Sequence, residues 1–344
     1  MSEGRVRPFI VPIFIPNMGC PHQCVFCDQK KITSSYGKKI NGRHVKEVID
    51  TAVRSRDFNL KIPAGIAFYG GTFTMLSEAR IRDLLEAAHP YLEKGLFQSI
   101  RVSTRPDAID EGRLRLMKGY GVDTVELGAQ SMDDNVLSLS KRGHSASDTI
   151  KAVQVLKSHS FKVGIQLMPG LPGDSEEKFH GTVSQVIKLR PDMVRLYPAV
   201  VINGTELDRL YKEGLYCPLS VEKAVEICIE SCIRLENEGI PVIRIGLMSS
   251  PTLLEKGEIV AGPWHTAFGF LVRSGIYHRK IAACLPKPGE AAEFNIYTQK
   301  REVPLIRGYK NRGVKWIENL TQAKVIKIRS DDNVPSGTIK VEKL

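Results

Sequence analysis

Three cysteines fall within eight positions, Cys20-Pro-His-Gln-Cys24-Val-Phe-Cys27. Thiolates this close on an irregular loop can wrap one face of a small metal centre. A 4Fe–4S cluster has four irons, so three protein ligands leave one iron open for chemistry. Zinc is the metal alternative, although a structural zinc site wants four closed ligands. His22 is the nearby candidate for a fourth, awkwardly placed between two of the others. Free structural cysteines are usually scattered and buried, which makes a loop cluster of three a strong metal signal. Cys228 and Cys232 read differently. They recur with Val225 and Leu235 on one helix face, as buried core thiols do. The count of seven cysteines is odd. No export signal accompanies them, so the expected setting is a reducing cytoplasm without disulfides.

Other chemistry-bearing groups stand at the ends of apolar runs. Gly70-Gly71 closes AFYGG, where the lack of Cβ lets backbone approach a ligand. Ser103 (in VSTRPD) and Gln130 (in GAQS) supply short polar groups suited to a ribose or a carboxylate. Ser131 reads equally as part of a helix cap beside Asp133 and Asp134. Arg142, in Ser-Lys-Arg-Gly-His144, offers a guanidinium fork that matches a carboxylate; surface ion pairing is the plainer alternative.

Parallel-sheet rhythm positions these groups. Apolar runs at Phe9–Ile15, Gly65–Tyr69, Ser99–Ser103, Thr124–Leu127, Val163–Met168, Met193–Tyr197 and Val242–Ile245 predict strands. Amphipathic stretches at Arg43–Val53, Ser77–Tyr91, Asp110–Lys118, Ala146–Ser158, Glu176–Leu189 and Val221–Glu238 predict the helices between them. Such alternation fits a partial or full β/α barrel, with a doubly wound open sheet as competitor. In a barrel, the ends of the strands form the active face. The rhythm stops after Gly246, which predicts a barrel domain over 1–246 and a separate unit over 247–344. That unit predicts a short basic helix, Lys315–Leu320, and strands at Val325–Arg329 and Thr338–Val341.

The 344 residues carry a net charge of +11. Residues 251–344 hold 16 Lys/Arg against 9 Asp/Glu, so the C-terminal quarter carries most of the excess. A nucleic-acid surface and a merely soluble basic surface both fit. The turn bearing Lys310, Arg312 and Lys315 is the candidate RNA contact. Hydrophobic residues make up 42% and charged residues 25%, an ordinary globular balance. The N-terminal apolar stretch is broken by Pro12 and Pro16 and is too short to span a bilayer, so no membrane role is expected.

CxxxCxxC with an aromatic before the third cysteine resembles the signature of the radical S-adenosylmethionine (radical SAM) superfamily. The phrases AFYGGTFT, VSTRPD, VELGAQSMDDNVLSLSKRGH, GIQLMPGLPGD and VRLYPAVVINGTEL resemble the group containing the catalytic subunit of Elongator and its shorter relatives. Oxygen-independent coproporphyrinogen oxidase is more distantly similar. The resemblance covers residues 8–250 and implies a partial (β/α) TIM-like barrel with a small basic α+β C-terminal unit. It implies a 4Fe–4S cluster on Cys20, Cys24 and Cys27 whose open iron chelates S-adenosylmethionine. Phe26 would lie near the adenine, and Gly70, Gly71 and Thr72 near the methionine amino group, Thr72 standing where the family often has Glu. Arg142 would take the methionine carboxylate, and Ser103, Gln130 and Gln166 would line the remaining pocket. The implied activity is reductive cleavage of S-adenosylmethionine to a 5′-deoxyadenosyl radical, fed by a reductant protein such as a flavodoxin or ferredoxin, for modification of RNA, above all tRNA. Radical chemistry on a small metabolite or tetrapyrrole, and a cluster-bearing protein that never turns over, are the competing expectations.

Overall fold

The computed structural model describes residues 8–34 and 40–344. Twelve strands follow in order: β1 Phe9–Phe14, β2 Ala64–Tyr69, β3 Ser99–Thr104, β4 Val122–Gln130, β5 Lys162–Leu167, β6 Met193–Leu196, β7 Val201–Ile202, β8 Val242–Ile245, β9 Ile259–Ala261, β10 Glu293–Thr298, β11 Lys324–Ser330 and β12 Lys340–Lys343. Seven of them form one sheet in the order β1-β2-β3-β4-β5-β6-β8, with every pairing parallel. The order follows the sequence and lacks the reversal that defines a doubly wound sheet. The sheet curls into a half-barrel with helices outside.

Residue alternation decides which face is which. On β3, Ile100, Val102 and Thr104 are buried while Arg101 and Ser103 are half-buried; on β6, Val194 and Leu196 are buried while Met193 and Arg195 are half-buried. The apolar set packs outward on the helices, and the polar set lines the concave side. The helices start where short polar side chains cap them. Asn41, Ser77, Asp110, Asp133, Ser145, Ser175 and Ser220 each accept a hydrogen bond from a backbone N–H in the first turn. Each cap is worth about 1 kcal/mol. Asp133 and Ser175 also pin the far ends of the loops that leave β4 and β5, which holds that part of the concave mouth in place.

Two elements beyond β8 escape the sequence pattern. Helix Phe268–Ile281 contains Gly269 and Gly275, which read as breakers. A Cβ at Gly269 would lie 3.0 Å from the Ile245 carbonyl oxygen, and one at Gly275 would lie 2.2 Å from the Ile229 side chain. These glycines therefore let the helix press onto β8 and onto helix Val221–Asn237. The same helix serves two cores. Phe268, Val272 and Ile276 join the main one, while Tyr277 and Ile281 join a second with Leu285, Phe294, Ile296, Ile306 and Ile317. That second core supports a sheet in the order β11-β10-β12, in which β10 is parallel to β11 and antiparallel to β12. β11, β12 and helix Arg312–Thr321 stand close to their expected places; central β10 is an addition. Among the described residues no helix is long and apolar enough to cross a membrane.

Candidate active site

The cysteine loop follows β1 and is clamped by the turn after β2. Gln29 does most of the clamping: its Oε1 accepts from the backbone N–H of Asn17 at 2.6 Å and of Gly71 at 2.7 Å. The Thr72 N–H donates to the Met18 carbonyl at 2.7 Å, and Thr72 Oγ1 lies 3.5 Å from Cys20 Sγ. Gly71 has φ 63°, and a Cβ there would lie 2.3 Å from the Met18 carbonyl oxygen. Glycine is required twice here, by conformation and by space. The sequence suggests a turn opened for a ligand; its tightest approach is to the chain's own cysteine loop. Gly70, next to it, faces Gln29 Oε1.

The opposite wall comes from the loop after β4. Arg142 is buried; its Nη1 donates to Cys24 Sγ at 2.8 Å and its Nη2 to the Gly128 carbonyl at 2.5 Å. Its Nε is buried without a partner. His22 Nε2 bonds the Arg142 carbonyl at 3.0 Å, so this ring fastens the loop to Gly143 instead of completing a thiol set. Burial, then the neighbouring thiols of Cys24 and Cys20, push the Cys27 thiol up to about 12 against the pull of Arg142 and Gln29. A bound cation would reverse this penalty on the Cys27 thiolate. Phe26 is half-buried and bridges two apolar clusters, one with Val201 and Tyr216, the other with Met168 and Leu171.

Gln130 ends β4 in the left-handed region, φ 71°, and its Oε1 accepts from Gln166 Nε2 of β5 at 3.2 Å. A Cβ on Gly128 would meet both Gln130 Nε2 at 3.0 Å and Arg142 Nη2 at 3.4 Å. Cys24, Arg142, Gly128, Gln130 and Gln166 thus make one continuous patch. Ser103 pairs in register with Glu126, farther along the same concave wall. Ser131 serves the cap: its Oγ accepts from the Asp133 N–H at 3.1 Å and lies 3.3 Å from Thr182 Oγ1. Of the remaining cysteines, Cys228 and Cys232 are fully buried in the main core and Cys217 and Cys284 are exposed.

A charged network lies deeper in the concave face. Glu126 Oε1 accepts from Arg101 Nη1 at 3.1 Å and from Arg195 Nη2 at 3.0 Å, and Arg195 Nε lies 2.7 Å from Oε2 as an ion pair. Arg195 also donates to the hydroxyls of Tyr69 at 2.5 Å and Tyr197 at 2.9 Å, with its guanidinium over the Tyr69 ring. Burial alone would lower Arg195, but Tyr197, Glu126 and Tyr69 together hold it firmly protonated. Burial and the Glu126 charge push the Tyr69 hydroxyl up to about 12. The sequence motifs single out none of Glu126, Arg101 and Gln29. The available signal was one charge in an apolar strand, as in SIRVST and TVELG.

Among the described residues no three His, Cys, Asp or Glu side chains converge on a single ion. Thiolates of a 4Fe–4S cluster bind different irons, so they surround a volume and need no common point. Three thiols on one short loop, with Cys24 and Cys20 close enough to act on Cys27 and an arginine whose buried Nε is unpartnered beside Cys24, fit such a cluster and an anionic ligand next to it.

Residues 14–186 match the radical SAM superfamily, and residues 191–278 match the radical SAM C-terminal domain. The chain is 43% identical over 129 residues to the tRNA uridine(34) acetyltransferase of Methanocaldococcus infernus, a stretch covering 37% of this chain and 24% of that enzyme. It is 30% identical over 237 residues to an uncharacterized protein of Methanocaldococcus jannaschii, covering 66% of this chain and 71% of that protein. The solved structure of the archaeal Methanocaldococcus infernus Elp3 with an N-terminal deletion superposes with a TM-score of 0.60 at 25% identity, covering 79% of this chain and 63% of that one. The match therefore spans about a quarter of the acetyltransferase's length.

Proposed function

The chain belongs to the radical SAM superfamily, enzymes that use a 4Fe–4S cluster and S-adenosylmethionine, and on that premise we propose that it modifies RNA, with tRNA as its substrate class. Cys20, Cys24 and Cys27 hold three irons of the cluster. Arg142, poised at Cys24, takes the methionine carboxylate. Gln130, Gln166 and Ser103 take the polar groups of the nucleoside, Phe26 packs near the adenine, and Gly70, Gly71 and Thr72 stand by the amino group. When bound, the reduced cluster supplies the electron that splits S-adenosylmethionine into methionine and a hydrogen-abstracting 5′-deoxyadenosyl radical. Pro21, His22 and Gln23 are exposed, so the cysteine loop reaches the surface where a flavodoxin or ferredoxin would deliver that electron. A cytoplasmic location accompanies this reading. The half-barrel, within residues 1–246, carries the radical chemistry, and residues 247–344 contact RNA.

The similarity to tRNA uridine(34) acetyltransferases carries the RNA reading. A second reading, chemistry on a small anionic metabolite, draws on the two guanidiniums around Glu126. Mass spectrometry of total tRNA nucleosides from cells with and without the gene separates them. One nucleoside should change in the deletion. Unchanged tRNA, together with 5′-deoxyadenosine production by the reduced, reconstituted protein, would hand the case to the metabolite.

A further inference from the structure

β11 is an edge strand of the C-terminal sheet. Unpaired edge backbone invites strand addition unless a bulge or clustered charge blunts it. β11 has both. Val325 pairs with Phe294 and Lys327 with Asn295, which leaves Ile326 as the extra residue of a bulge. Lys324, Lys327 and Arg329 place three cations on the same seven-residue strand.

Two grooves run along it. One of about 530 Å³ is lined by Lys300, Val303, Pro304, Ile328, Arg329 and Ser330. The other, about 320 Å³, continues past Lys327 to Arg307, with Val314 and Ile326 among its lining residues. Four cations and no carboxylate line them. Residues 300–329 contain nine Lys/Arg and two Asp/Glu, and both acids are engaged internally. Glu302 accepts from Tyr277, Ser336 and Gly337, and Glu318 Oε1 accepts from the Val325 N–H. Glu342 lies within electrostatic reach of Arg329, but its Oε2 is held by Asn295 and Tyr297, so the balance over the grooves stays positive.

Resting on the RNA reading above, we propose that the β11 edge, through Lys300, Arg307, Lys327 and Arg329, docks the phosphate backbone of the RNA substrate. Unpaired cations over an apolar groove suit a polyanion carrying ribose and base, whereas the bulge argues against an added peptide strand.

The test uses the full-length reconstituted protein and fluorescently labelled total tRNA across a salt series. Each phosphate contact contributes a slope of about −0.7 to −0.9 in log affinity against log salt. The combined variant Lys300→Gln, Arg307→Gln, Lys327→Gln and Arg329→Gln should flatten the slope by about 3 units. Circular dichroism checks that it is folded. A variant of equal charge change on the outer helices, Arg43→Gln, Arg82→Gln, Arg115→Gln and Arg209→Gln, should keep the parental slope. If the parent binds no tRNA, the RNA reading itself falls. If the parent binds and the edge variant keeps its slope, or both variants lose it equally, the docking site is overturned while the RNA reading stands. Displacement of tRNA by poly-glutamate as readily as by unlabelled tRNA would assign the edge to an acidic polypeptide, against the proposal.

Discussion

On the exposed surface of the half-barrel, several cations are paired: Arg82 reaches Glu78 at 2.7 Å, Lys141 reaches Glu206 at 2.6 Å, and Lys162 reaches Asp123 at 3.0 Å. On its concave face, Arg101 and Arg195 share the buried Glu126. In the C-terminal unit, Lys300, Arg307, Lys310, Arg312, Lys315, Lys324, Lys327 and Arg329 form no salt bridge among the described residues. Buried charge must be paired because desolvation costs several kcal/mol per ion; exposed charge can stand alone because water solvates it. The half-barrel spends its charge on holding a site together. The C-terminal unit leaves these eight cations to solvent.

That contrast breaks most visibly at the cysteines. Cys20→Ala, Cys24→Ala or Cys27→Ala should each abolish the broad visible absorbance of anaerobically reconstituted protein and its cleavage of S-adenosylmethionine. Retention of about four irons by the triple variant would remove the cluster from this loop. Next comes Glu126→Ala, which removes the buried carboxylate shared by two half-buried guanidiniums. Denaturant unfolding should show a loss of about 3–5 kcal/mol, against less than about 1 kcal/mol for the exposed partner Glu47→Ala. Equal losses would mean that the concave charges are as solvated as the outer ones.

Protons probe the same difference. Burial, then Arg142, pushes His144 down to about 4. Below its unfolded value of about 6.5 the unfolded chain binds a proton that the folded chain refuses, so stability falls as pH drops from about 6.5 to 4. The loss should approach 3 kcal/mol, at about 1.4 kcal/mol per pH unit. His144→Gln should remove this share of the pH dependence; an unaltered profile would show that another group carries it. At the ligand, Arg142→Lys keeps charge but loses the fork, and calorimetry should find S-adenosylmethionine binding weaker by roughly 1–3 kcal/mol. Unchanged affinity would leave Arg142 as a partner of Cys24 alone. The smallest stability effect belongs to the C-terminal turn. Replacing Lys310, Arg312 and Lys315 with Ala should move stability by less than about 0.5 kcal/mol, while flattening the salt slope of tRNA binding by about one unit for each residue that touches a phosphate. An unaltered slope would confine the RNA to the β11 edge.

Much of the half-barrel was legible because its determinants are local. A strand such as Val242–Ile245 announces itself by its apolar run, and helices Ala146–Ser158 and Glu176–Leu189 by their caps and periodicity. The cysteine spacing belongs to one loop, so the metal chemistry was readable before any fold. Helix Phe268–Ile281 was hidden because its glycines look like breakers until a neighbouring strand and helix are pressed against them. β10 was hidden because its residues gain meaning only between β11 and β12.

The same division runs through the site. Residue types and short spacings determined by themselves that Cys20, Cys24 and Cys27 could hold a cluster and that Gly70, Gly71, Gln130, Arg142 and Gln166 stood at strand ends. Only the tertiary structure decided that Gln29 would tie Asn17 to Gly71, and that Arg142 would bridge Cys24 to Gly128. It also decided that β7 would pair with β9, some sixty residues on, while Ser250 Oγ donates to the Lys31 carbonyl behind the cysteine loop. Local periodicity is dictated by backbone geometry within a few residues. Which distant segments meet depends on how the whole sheet curls and where each loop returns, and no short stretch of sequence contains that.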